Sequence, residues 1–287
     1  MKVLLLIFFL LPCKLYGQSQ EGTVLLYNVA LGGITSGVGA VINKPKEVNW
    51  KKALVRGVLQ GSVGGALNYS GKKTLYLINK YENIAYAWPS KILHAAGTSI
   101  IENAAMGEPF LRNWHIDYGI VRFDFALKGK RKFKARFLPC SIPAILWAAQ
   151  VSKFNLRTTL LSGNIAFTSR TPRFKVDGSD FLGISWGRAF VYTDNFASNK
   201  YEIIAHELVH QFQFNESQVV NACLTPISKK IPSKLLHQTF SEYMYFDVPY
   251  FRTLYYIEGS HGPLHYNRNY FEFEATRFST NRTVFGL

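Results

Sequence analysis

His206-Glu207-Leu208-Val209-His210 sets two imidazoles and a carboxylate at fixed offsets in the chain. On an α-helix, residues four apart lie one turn along and about 40° round, so both imidazoles can reach one ion, while the glutamate sits about 100° away beside the ion's open position. These residue types suit one chemistry: two neutral nitrogens hold zinc, the zinc polarises a carbonyl and acidifies water, and the carboxylate moves the proton. With seven histidines in 287 residues, such a string arises by accident only about 0.01 times, so coincidence is a poor account of it. The bland alternative is a helix whose two histidines are merely hydrogen-bonded or half exposed.

The pattern around the motif predicts the helix that must position it, over 199–214. Asn199 is a candidate N-cap, Glu202 falls in the first turn, and Ile204, Leu208 and Phe212 form an apolar stripe. His206 and His210 fall opposite that stripe, with Glu202 and Gln213 near them. A catalytic zinc needs a third protein ligand and keeps one position open. Glu216 lies six residues after His210, where an HExxHxxGxxH protein places its third ligand, but Gln213 replaces the glycine that turns the chain back there. His261 and His265 flank a Gly-Pro loop and could equally be hydrogen-bonded loop residues. Glu272 and Glu274 lie in 270–278, which reads as a short helix.

Two motifs, His206-Glu207-Leu208-Val209-His210 and Glu274-Ala275, make the chain resemble the gluzincin branch of the zincin metallopeptidases, in which a second helix supplies a glutamate followed by alanine. The resemblance covers only 206–275. It implies a zinc metallopeptidase with a peptide or protein substrate, His206, His210 and Glu274 as ligands, Glu207 as general base, and Glu272 in reserve because it points the opposite way on a helix. No aspartate follows Glu274 at the family's usual supporting position. His210-Gln211-Phe212-Gln213 is also similar to exported bacterial proteins of uncharacterised activity that carry an HExxHxxQ signature.

A lysine, the apolar run 3–11 and an exit at Gly17 read as a signal peptide over 1–17, too short to span a bilayer comfortably. This predicts an exported protein, periplasmic, attached to the outer envelope or secreted. Leu11-Pro12 lacks the small residue expected before a lipidated Cys13. Cys140 and Cys223 remain, able to form one disulfide or to stay as two thiols. A net charge of +15 points to anionic partners such as a membrane or envelope surface, and export makes nucleic acid unlikely. Phe133, Ala135 and Phe137 alternate with Lys132, Lys134 and Arg136, the period of a strand whose basic face is wet.

The expected fold class is α+β: glycine-rich N-terminal helices, a mixed or antiparallel sheet, then the zincin-like helix and further C-terminal helices. A composition shift near Trp114 divides a glycine-rich helical region, 18–113, from a zincin-like metal-binding region, 114–287, as two domains or two layers of one. Gly57, Gly61 and Gly65 recur at four-residue intervals and make a flat helix face, which predicts tight helix packing over a membrane-inserted hairpin and leaves peripheral membrane contact open. Strands are expected over 118–125, 132–138, 158–168 and 189–193, with 187–193 as the wall along which an extended substrate pairs. The rival function is a membrane-associated envelope protein, structural or binding, in which a zinc site is structural or vestigial.

Overall fold

The structure is a computed structural model that describes residues 20–128, 132–171, 174–176, 179–194, 199–217, 221–222, 233, 238–239, 242–246 and 269–280. The expected signal peptide, Cys223, His261 and His265 lie outside these residues. The fold is α+β, with one antiparallel and one mixed sheet.

Three helices, α1 (Gln20–Asn43), α2 (Trp50–Lys73) and, after the short α3 (Tyr76–Lys80), α4 (Ala87–Ala105), pack as one layer. Glycine makes the close approach possible. A Cβ on Gly61 would overlap the Gly32 carbonyl of α1, and one on Gly65 would overlap the Asn28 carbonyl; on its other flank, Gly64 of α2 meets the Gly97 backbone of α4. The residues 21–43 of α1 are long and apolar enough to cross a membrane by length and composition, yet polar groups along α1 serve contacts inside the fold. Ser36 donates to Ile101 O at 3.0 Å, and Asn43 donates to Ala105 O at 3.0 Å.

Strands β1 (Asn113–Tyr118), β2 (Val121–Ala126) and β3 (Phe133–Phe137) form an antiparallel sheet in that order. Here the wet-face expectation is reversed. Phe133 is 55 % exposed, while Arg136 donates to Asp124 at 2.7 Å and Lys134 pairs with Glu242 at 3.1 Å. The inner face is polar because Arg122, fully enclosed, bonds both Glu102 and Asp124. Tyr245 covers that cluster and donates to Glu102 at 2.8 Å, its own backbone paired to Phe137 at 2.9 Å.

After α5 (Ile142–Val151) the chain builds the second sheet from β4 (Ser152–Phe154), β5 (Ile165–Ser169), β8 (Gly183–Trp186) and β9 (Ala189–Tyr192), in the order β4-β5-β9-β8, with only β5 and β9 parallel. The hairpin β6 (Phe174–Val176) and β7 (Ser179–Phe181) interrupts it. The strand expected over 158–168 is instead α6 (Leu156–Ser162) followed by β5. Asn155 Oδ1 caps the Thr158 N–H at 2.9 Å, and Gly163 at φ 69° stops the helix, so end signals override the β-branched composition. In the β8–β9 turn, Gly187 has φ 59°. The next residue, buried Arg188, pairs with Asp117 at the end of β1 at 2.5 Å and thereby ties the two sheets together.

Helix α7 (Lys200–Ser217) lies at the centre, with β8 and β9 against one side, α3 and the final helix α8 (Tyr270–Thr280) against others. One apolar cluster joins Val24, Tyr69, Leu75 and Ile78 to Phe190, Ile204, Leu208, Phe212, Ala275 and Phe278. Residues from both sides of Trp114 therefore share a core.

Candidate metal centre

Asn199 caps α7 as its sequence suggests, its Oδ1 accepting from Tyr201 N at 3.1 Å and Glu202 N at 3.3 Å. Ile204, Leu208 and Phe212 are fully enclosed in the core. The polar residues of this helix are enclosed too: Glu207, His210, Gln211 and Gln213 are all buried. Buried polar groups on a central helix must find partners or a ligand.

His206, His210 and Glu272 come together. His206 Nε2 lies 3.2 Å from His210 Nε2 and 3.2 Å from Glu272 Oε2, and His210 Nε2 lies 3.3 Å from Glu272 Oε1. The two contacts of Glu272 use different oxygens, and one ligand atom from each of the three side chains lies within 4.8 Å of the others, a spacing at which they could share one metal ion. Two imidazole nitrogens 3.2 Å apart repel unless a proton or a cation lies between them. The residue types present therefore fit a divalent metal ion such as zinc, and His206, its side chain 20 % exposed against 9 % and 7 % for the other two, is the most accessible of the three.

The protons of His210 follow from the hydrogen bonds around it. Gln213 Nε2 donates to Glu274 Oε2 at 2.8 Å and to Phe271 O at 3.0 Å, both acceptors without a proton to give. The amide oxygen must then be the atom that faces His210 Nδ1 at 2.8 Å. It accepts the Nδ1 proton and leaves Nε2 aimed at Glu272 and His206. Burial opposes charging His210, but Glu272 beside it overcomes this and raises its pKa to about 9. Burial lowers the pKa of His206. Glu272 is also buried, yet the His210 charge and its bonds to both imidazoles hold its carboxyl far below the usual range. A divalent ion held by these side chains would compete with protons for the same nitrogens.

Glu207 faces the sheet side. Burial raises its pKa to about 8, and its Oε2 is enclosed with no hydrogen-bond partner. The carboxylate lies against Gly183 at the start of β8, where an added Cβ would overlap it. Gln211 fastens the helix to that sheet edge through Ser185 Oγ at 2.5 Å and Ala189 O at 3.1 Å.

The expected third ligand, Glu274, is placed elsewhere. Glu272 and Glu274 stand about 160° apart on α8, at opposite edges of a buried arc whose middle is Phe271, Ala275 and Phe278. Packing that apolar middle against α7 turns Glu272 to the imidazoles and Glu274 to α1 and α2. There Glu274 accepts from Lys72 Nζ at 2.8 Å and Asn28 Nδ2 at 2.7 Å. Glu216 is likewise engaged, with Lys72 at 3.0 Å and His94 at 3.3 Å. His94 is structural, stacked on Phe212 at 4.3 Å between ring centres. Lys72, Asn28 and Gly183 were missed at the sequence level, although Lys72 continues the inward stripe of Gly61, Gly65 and Asn68 at helical spacing.

The strand within 187–193, expected as a substrate wall, has no unpaired edge. β9 is paired on both sides, by β5 and β8, whereas β8 is an edge strand among the described residues. No family model, no curated protein and no solved structure matches the chain.

Proposed function

We propose that this chain is an exported, zinc-dependent hydrolase of gluzincin-like design, acting on peptide bonds, with His206, His210 and Glu272 as ligands and Glu207 as general base. The observation that carries this reading is the convergence of two imidazoles and a carboxylate from two helices, with one ligand atom of each within 4.8 Å of the others, beside a buried carboxyl that follows the first histidine. A zinc ion held there supplies Lewis acidity, polarising a carbonyl and acidifying water. Glu207 takes the proton of the attacking water and returns it to the leaving amine; a carboxyl whose pKa lies near neutrality suits both halves of that task. Gly183 lets Glu207 lie against β8, and β8, an edge strand among the described residues, could offer an extended peptide main-chain partners next to the centre. Gln213 keeps His210 in the required tautomer.

A structural zinc staple is the rival. Structural zinc sites are closed by four protein ligands and need no base, whereas among the described residues three side chains converge here, beside a buried glutamate oxygen without a hydrogen bond. The test is Glu207→Gln in the zinc-loaded mature chain, assayed for cleavage of a mixed peptide library. Zinc content should stay at the wild-type level while cleavage falls at least about 10²-fold. Equal cleavage by the variant, or cleavage by wild type that survives chelation, contradicts the reading.

A further inference from the structure

The glycine face of α2 is turned inward, which leaves the opposite face to solvent. That outer face is not polar. Val55, Leu59 and Val63, four residues apart, are 57 %, 65 % and 48 % exposed. The three aliphatic residues fill an arc of about 80°, with Lys51 on one side, Arg56 on the other and Lys52 within the arc, nearer the helix start. Lys44 and Lys46 extend the charge into the α1–α2 turn, where Glu47 is the only acidic residue between 44 and 56.

The two ends of α2 treat their cations differently. Lys72 and Lys73, at its C-terminal end, are both paired with carboxylates, Lys72 with Glu216 and Glu274 and Lys73 with Glu21. Lys44, Lys46, Lys51, Lys52 and Arg56 have no carboxylate partner among the described residues. Between Lys51, Lys52 and Arg56 runs an open groove floored by Val55 and Leu59.

We propose that this face of α2 is a peripheral membrane-docking surface whose partner is an anionic lipid bilayer. An apolar strip bordered by cations on both sides matches a bilayer, in which acyl chains lie below a plane of phosphates. A second copy of the chain is a poor occupant, since the same five cations would face one another across the contact. Nucleic acid would match the charge but not Val55, Leu59 and Val63. Such docking would hold the enzyme at an envelope surface independently of its metal centre.

The test uses the full mature chain and sedimentation with vesicles of phosphatidylcholine, with or without about one-third phosphatidylglycerol. Binding should be at least about 10-fold stronger to the anionic vesicles and should weaken as salt is raised. Lys52→Glu with Arg56→Glu, and separately Val55→Ser with Leu59→Ser, should each reduce binding about 10-fold or more. All four residues are exposed, so the melting temperature should hold. Lys153→Glu with Arg157→Glu, an equal charge change elsewhere, should leave most of the binding, and Glu272→Gln should bind vesicles like wild type even if it loses zinc. Equal binding to neutral and anionic vesicles, indifference to both α2 pairs, or α2 substitutions that dissociate a dimer without affecting vesicle binding would each overturn the proposal.

Discussion

Two glutamates on one turn of α8 meet opposite kinds of neighbour. Glu274 looks towards α1 and α2, where Lys72 lies between it and Glu216, with Asn28, Gln213 and Tyr270 donating to the same carboxylate. Donors and acceptors alternate, and the cluster is satisfied by the protein's own charges. Glu272 looks towards α7, where its oxygens and two Nε2 atoms draw together within 3.2–3.3 Å. Atoms that all offer lone pairs converge there, an arrangement that asks for a proton or a metal ion between them. The first is the wiring of a structural ion pair and the second is what the proposed metal site requires, and Gln213 touches both.

That contrast can be broken from either side. Lys72→Met should have the largest effect, because Glu216 and Glu274 would then face each other in a buried site without their cation. A loss of about 3–5 kcal/mol in urea denaturation is expected, with zinc binding retained by whatever fraction remains folded. A loss below about 1 kcal/mol would mean that the cluster is far wetter than its burial shows.

Gln213→Leu comes next, because it removes the acceptor for His210 Nδ1 and one donor to Glu274. Zinc affinity should fall about 10–100-fold in a competition titration. An unchanged affinity would remove Gln213 from its role in fixing the tautomer. Asn28→Ala is the mildest of the three. It deletes one donor to an ionised carboxylate far along the chain in α1, and about 1.5 kcal/mol of stability should be lost with zinc affinity unchanged. A loss of affinity from this site would show that the two clusters are not separable.

Much of the centre is legible in the sequence because its geometry is local. Four-residue spacing puts His206 and His210 together on any helix, Asn199 announces where that helix begins, and Gln213 recurs on the same side three residues on. The third ligand is not local. Whether Glu272 or Glu274 meets the imidazoles depends on how α8 is rolled, and the roll is set by Phe271, Ala275 and Phe278 entering a core built largely by other elements. The glutamate-alanine pair attracted attention to Glu274, while the deciding partner, Lys72, lies some 200 residues away, on a helix whose glycine spacing spoke only of packing. The reversed face of β3 has the same origin: alternation reveals two faces, but Arg122, Glu102 and Tyr245 from distant segments decide which one is inside. Helix α6 shows the converse, since Asn155 and Gly163 were visible end signals that outweigh a run of β-branched residues.

The central claim is that His206, His210 and Glu272, and not Glu274, hold a zinc ion. Elemental analysis of purified, zinc-equilibrated and desalted protein tests it most directly, comparing wild type, Glu272→Gln and Glu274→Gln, each confirmed as folded. The account predicts one zinc per chain in wild type and in Glu274→Gln, and none in Glu272→Gln. Zinc retained by Glu272→Gln but lost from Glu274→Gln, or no zinc in wild type, would contradict it.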